Sequence, residues 1–176
     1  MKFALLILIV AAAGAAASAG QDPRPLDVVP KVDLQRYLGT WYEIATFPQR
    51  FQKGCVGVTA HYSLRSDGAI DVVNVCRDGT LDGKVRSVRG KAWVVDRATN
   101  AKLKVRFFWP FAGAYWIIEL DKDYQWAVVG HPSRKYLWVL GRTPQMDPSV
   151  YEDLLARISA KGYDLTKLKK TLQPGG

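Results

Sequence analysis

The chain has 176 residues, of which 48% are hydrophobic and 23% charged; this is the balance of a folded globular protein, and it excludes a disordered one. Six Trp, eight Tyr and six Phe, with many Val, favour pleated strands over helices. The formal charge of +9 favours anionic partners. The charge is dispersed, with no run of consecutive basic residues exceeding two; for an exported chain, which the N-terminus suggests, a phospholipid surface is the better candidate and a nucleic-acid partner is not expected.

Lys2 is followed by an apolar and small-residue run from Phe3 to Ala17 and then by Ala17-Ser18-Ala19, the pattern of a cleaved export signal over residues 1–19. The alternative is a membrane-spanning helix, for which the run is short, rich in Ala and Gly, and without a basic flank. Cleavage would leave a charge of about +8. No cysteine stands at the cleavage point, so export without lipidation is expected: periplasm or outer membrane in a bacterium, otherwise secretion. Residues 20–32 hold Pro23, Pro25 and Pro30 and read as an extended leader.

Eight strand-like runs then alternate with turn signals, the rhythm of a sandwich or barrel. They are Thr40–Phe47, Val56–Arg65, Ala69–Arg77, Val85–Val95, Ala101–Trp109, Ala114–Asp121, Tyr124–Gly130 and Tyr136–Arg142. Their breaks carry Pro48, Ser66-Asp67-Gly68, Asp78-Gly79, Pro110, Lys122-Asp123 and His131-Pro132, all turn formers. Short links imply antiparallel neighbours, and eight up-and-down strands close into a barrel wide enough for one small ligand. One helix follows, begun by Asp147-Pro148, carrying Val150, Leu154, Leu155 and Ile158 on one face, and stopped by Gly162. It is expected to pack on the outside of an all-β, eight-stranded antiparallel barrel.

Alternation sorts the strands into faces. Lys102, Lys104 and Arg106 point out while Leu103, Val105 and Phe107 point in. Gly90, Ala92 and Val94 are assigned inward, the first two leaving space; Tyr62 and Asn74 are inward too, as are Trp116, Ile118 and Leu120. This mixture of aromatic, small and polar-tipped residues suits a cavity, the alternative being a core filled by its own side chains. Cys55 and Cys76 flank a hairpin and allow one disulfide, or two free buried thiols.

Catalysis has little support, and neither a cofactor nor a metal is expected. His61 falls on an outward face, His131 precedes a turn proline, and Asp121 and Asp123 share a turn that they shape. An oligonucleotide-binding five-stranded barrel has too few strands.

Gly39-Thr40-Trp41 at the start of the first strand resembles the opening signature of the lipocalins. Leu120-Asp121-Lys122-Asp123-Tyr124 and the terminal Arg142 resemble the second and third motifs of that family. The stretches Gly39–Ala45, Tyr62-Ser63-Leu64 and Tyr136–Pro144 are similar to bacterial outer-membrane lipocalins of the Blc type and to apolipoprotein D. The resemblance covers residues 33–174, and it departs in the missing N-terminal lipidation cysteine. It implies that Arg142 packs over Trp41 beside Gly39, a structural role. It also implies that Tyr136, Trp138 and Leu140 share the inward face of Arg142. The implied ligand-binding set is Tyr62, Asn74, Ala92, Val94, Trp116, Ile118, Tyr136 and Trp138. The implied function is carriage of a fatty acid, phospholipid or lysophospholipid, with contact at a membrane surface and a homodimer left open. The alternative is a lipocalin-fold enzyme, or a binder of a pigment or haem.

Overall fold

A computed structural model describes residues 24–175. The segment expected to be an export signal and the first leader residues lie outside them. The described chain forms a closed antiparallel barrel of eight strands in sequence order. These are β1 (Gly39–Thr46), β2 (Cys55–Leu64), β3 (Ile70–Asp78), β4 (Val85–Val94), β5 (Lys102–Phe108), β6 (Phe111–Leu120), β7 (Trp126–Gly130) and β8 (Leu137–Gly141). Each pairs with its neighbour, and β8 and β2 both pair with β1, so the sheet has no free edge except where β1 and β2 diverge.

That divergence is repaired by the C-terminus. β1 and β2 are in register from Gly39↔Tyr62 to Tyr42↔Thr59 and no further. Beyond, a two-residue strand β9 (Lys169–Lys170) pairs with Ala45 and Thr46, and the Gly57 amide donates to the Leu172 carbonyl at 2.7 Å. The Gln173 side-chain amide then donates to the Glu43 and Val58 carbonyls at 2.9 and 2.8 Å, bridging the two strands. Backbone groups at this seam would otherwise be buried without partners, which is costly.

A short helix α1 (Leu34–Tyr37) precedes the barrel, and helix α2 (Pro148–Ala160) follows it, beginning at Asp147, whose carboxylate accepts from the Ser149 amide at 2.8 Å. Its buried Tyr151, Leu154 and Ile158 pack on the outer wall against Ile118, Val128, Leu137 and Val139. A second cluster fills one end of the interior, around Trp41, Tyr62, Ile70, Val72, Ala92, Leu103 and Ile117. The leader runs along the barrel, its Val29 and Val32 amides donating to Ile117 and Thr99 carbonyls. Cys55 and Cys76 are disulfide-bonded, tying the start of β2 to the end of β3.

Two inward assignments are corrected. Trp116 and Ile118 lie on the outer wall, Ile118 under α2 and Trp116 beneath the Lys102 ammonium, 4.6 Å from the ring centroid. Tyr115 and Ile117 take the inward positions. The alternation is further broken by a bulge, because Ile117 pairs with Val129 while Glu119 pairs with Val128. Ile118 and Glu119 consequently both face α2, where Glu119 meets Lys161 at 3.1 Å.

Candidate functional site

The two ends of the barrel differ. One is sealed by helix α1, started by Asp33, whose side chain accepts from the Gln35 amide at 2.9 Å. Behind α1 the Trp41 indole donates to the Tyr37 carbonyl at 2.8 Å, and the Arg142 guanidinium lies 3.8 Å from the Trp41 ring centroid. The guanidinium also donates to the carbonyls of Arg36, Leu38, Thr40 and Tyr124 at 2.6 to 3.1 Å. Gly39 allows this approach: its φ of +93° is a left-handed value, and a Cβ there would lie 3.4 Å from an Arg142 nitrogen.

The other half of the interior is hollow, a cavity of about 490 Å³ open at the rim where β5 meets β6. Of the residues expected to contact a ligand, it is lined by Tyr62, Asn74, Tyr136 and Trp138. Ala92 and Val94 do face inward, but they belong to the filled end and do not line the cavity. The space expected from Gly90 is taken up by the Phe107 ring, whose nearest carbon would be 2.7 Å from an added Cβ. Val58, Val72, Val105 and Leu140 supply apolar wall, and Phe51, Phe108 and Phe111 line the approach.

Polar groups sit at two depths. Toward the sealed end, Tyr115 shares hydrogen bonds with Tyr62 at 3.0 Å and Tyr37 at 2.8 Å. Burial pushes the Tyr62 phenol up to about 12 and raises the Tyr37 and Tyr115 phenols well above their ordinary value, so all three are neutral hydroxyls. On the β1 wall, the Glu43 carboxyl accepts from Thr171 at 2.6 Å and from the Gln52 amide at 2.9 Å. Gln52 in turn accepts from the Trp138 indole at 3.4 Å. Burial raises the Glu43 carboxyl above its ordinary value, against those two hydrogen bonds. The Asn74 side-chain oxygen is buried with no hydrogen-bond partner, a polar point in the wall left open to a ligand.

Sequence reasoning missed Glu43, Gln52 and Tyr115 in the wall. Gln52 lies in a 3-10 turn (Arg50–Gln52) whose only sequence signal was its place after Pro48. His131 also reaches the cavity rim; its ring bonds Ser133 at 2.8 Å, and burial lowers its pKa, leaving it neutral. His61 stays on the outside, its ring nitrogen 2.9 Å from the Thr40 hydroxyl. Asp121 accepts from the Asp123 and Gln125 amides at 3.2 and 3.1 Å, which shapes the β6–β7 turn. Among the described residues no three His, Cys, Asp or Glu side chains cluster closely enough to hold a metal ion.

This geometry has counterparts among known proteins. The chain is 44% identical to the outer membrane lipoprotein Blc of Escherichia coli over 97% of its own length and 98% of the relative's. It is 33% identical to bovine apolipoprotein D, covering 97% and 92% of the two chains. The fold superposes on insecticyanin of the tobacco hornworm, Manduca sexta, with a TM-score of 0.67 at 19% identity, over 84% of each chain. Residues 32–173 match the family described as the lipocalin-like domain, and with a sealed end built on Gly39, Trp41 and Arg142, the chain belongs to the lipocalins.

Proposed function

We propose that this protein binds a single-chain lipid, a fatty acid or lysophospholipid, in the barrel cavity and carries or stores it. The observation that carries the reading is the hollow half of the barrel. At about 490 Å³ it falls within the range of small-molecule sites, and its wall is mainly apolar with a few fixed polar points. Each methylene moved from water into such a wall contributes about 0.8 kcal/mol before the entropic cost of association. A long acyl chain therefore reaches micromolar affinity without an ionic anchor. Tyr62, Asn74, Tyr136 and Trp138 are the contacts proposed from the original set, with Val105, Phe107 and Leu140 added. The polar end of the lipid would stay at the rim.

The chemistry is recognition and release. Kinship with Blc, named as an outer membrane lipoprotein, supports an exported protein working among envelope lipids. Titration with lysophosphatidylcholine, followed by tryptophan fluorescence and native mass spectrometry, should give a one-to-one complex. If no complex forms with that lipid or with a fatty acid of equal chain length, the carriage reading fails.

A further inference from the structure

Four large aromatic side chains crowd the open rim and stand in water. Phe108 is 70% exposed, Trp109 82% and Phe111 79%, all on the β5–β6 hairpin, and Phe51 is 64% exposed on the turn between β1 and β2. Phe108 and Phe111 pair directly across the hairpin. Single exposed apolar residues need no explanation, but four large aromatics gathered on one rim mark a contact surface. Three of the four, Phe51, Phe108 and Phe111, also line the cavity, so the exposed patch and the interior form one continuous apolar surface.

The charges around this patch identify its occupant. The loops and strand ends of the same rim carry exposed Arg50, Lys53, Arg77, Lys84 and Lys135, against the acidic Asp78 and Asp82. Asp78 is engaged by Arg86 at 3.2 Å, which leaves the rim positive. Two copies meeting rim to rim would bring like charges together, which disfavours self-association through this face. Aromatics ringed by cations match the layered chemistry of an anionic bilayer, apolar beneath and negative at the headgroups.

We propose that the open rim docks on an anionic lipid bilayer, with the Phe108–Phe111 hairpin inserted among the acyl chains and the rim cations on the headgroups. A lipid chain then passes between bilayer and cavity along Phe108 and Phe111 without crossing water. The inference rests on the carriage reading for its purpose, but its test is separate.

The full-length protein is mixed with vesicles of phosphatidylcholine alone or with about one third phosphatidylglycerol, and binding is read by flotation and tryptophan emission. Binding to the anionic vesicles should be about tenfold tighter than to the neutral ones and should weaken as salt is raised. Trp109→Ser should weaken binding about tenfold and abolish the blue shift in emission. Lys53→Glu combined with Lys84→Glu should erase the preference for phosphatidylglycerol. Trp109 does not line the cavity, so Trp109→Ser should titrate with lysophosphatidylcholine in the absence of vesicles as the unaltered protein does.

Vesicle binding that is indifferent to Trp109→Ser, or equal on the two vesicle types, would overturn the proposal. So would a dimer in sedimentation equilibrium that Trp109→Ser dissociates, since the patch would then be covered by a second copy. Failure to bind lysophosphatidylcholine, with vesicle docking intact, would remove the carriage reading and leave the docking surface standing.

Discussion

The sealed end and the open end of this barrel are made from the same eight strands, yet their chemistry is opposite. At the sealed end the large aromatic, Trp41, is fully buried, its N–H is bonded and its face is covered by Arg142. At the open end the large aromatic, Trp109, is almost fully exposed on a hairpin tip. The strands supply an indifferent wall, and the asymmetry comes from what closes each rim. Helix α1 and one guanidinium bonding four carbonyls close the sealed rim over Trp41. The open rim has no such cover. A binding protein needs both, a rigid floor to hold the barrel's shape and an exit that costs little to open.

The comparison breaks most visibly under truncation of the two tryptophans. Trp41→Ala should lower unfolding free energy by about 3–5 kcal/mol, because it leaves a cavity under Arg142 and removes the ring beneath the guanidinium. Trp109→Ser, by contrast, should change stability by less than about 0.5 kcal/mol. Urea unfolding of both variants measures the difference. Similar losses from the two would mean that the open rim is as structural as the floor, and the contrast between the ends would not hold.

A second pair sharpens the contrast between the inner and outer faces of the wall. Trp138→Ala removes an indole that lines the cavity and bonds Gln52, and should weaken lysophosphatidylcholine binding about tenfold. Trp116→Ala removes an indole from the outer face and should leave affinity within about twofold, while reducing thermal stability modestly. Isothermal titration of the two variants settles which face carries the ligand. An affinity loss confined to Trp116→Ala would reverse the inside and outside of β6.

That pair also shows what a sequence can and cannot display. The strand count, the turns and the outer helix were legible because each is written locally, in a turn former or a capped helix start; the packing of Arg142 over Trp41 joins distant residues and was expected only from the resemblance to the lipocalins. The parity of β8 came the same way: the resemblance turns Arg142 inward, and Leu140, Trp138 and Tyr136 follow by alternation. β6 had no such anchor. Both of its faces are apolar, one lining the interior and the other covered by α2, so alternation between Trp116 and Ile117 carries no contrast. The bulge at Ile118 then shifts the pattern partway along the strand. Ala92 and Val94 failed for a different reason. Facing inward is a property of a strand, whereas lining a cavity depends on how far the opposite wall's side chains reach. The role of Gln173 was equally invisible, since it depends on a seam between two strands more than a hundred residues away in the chain.

The smallest expected effect concerns Glu43, the one buried carboxyl in the cavity wall. Burial is the largest cause of its shift and raises its pKa, so the folded protein holds this proton more tightly than the unfolded chain does. Stability from this group is then present below the ordinary value of 4.5 and declines as pH rises through the raised folded value. The sign is opposite to that of an ion-paired surface carboxylate such as Asp67, which Lys91 holds low, at about 2. Glu43→Gln keeps a side-chain oxygen to accept from Thr171 or Gln52 but has nothing to titrate. Its stability relative to the unaltered protein should therefore improve as pH climbs above 4.5 through the raised folded value. Urea midpoints of the two proteins across pH 4 to 8 measure this, and parallel curves would show that Glu43 is not held protonated by its burial in the wall.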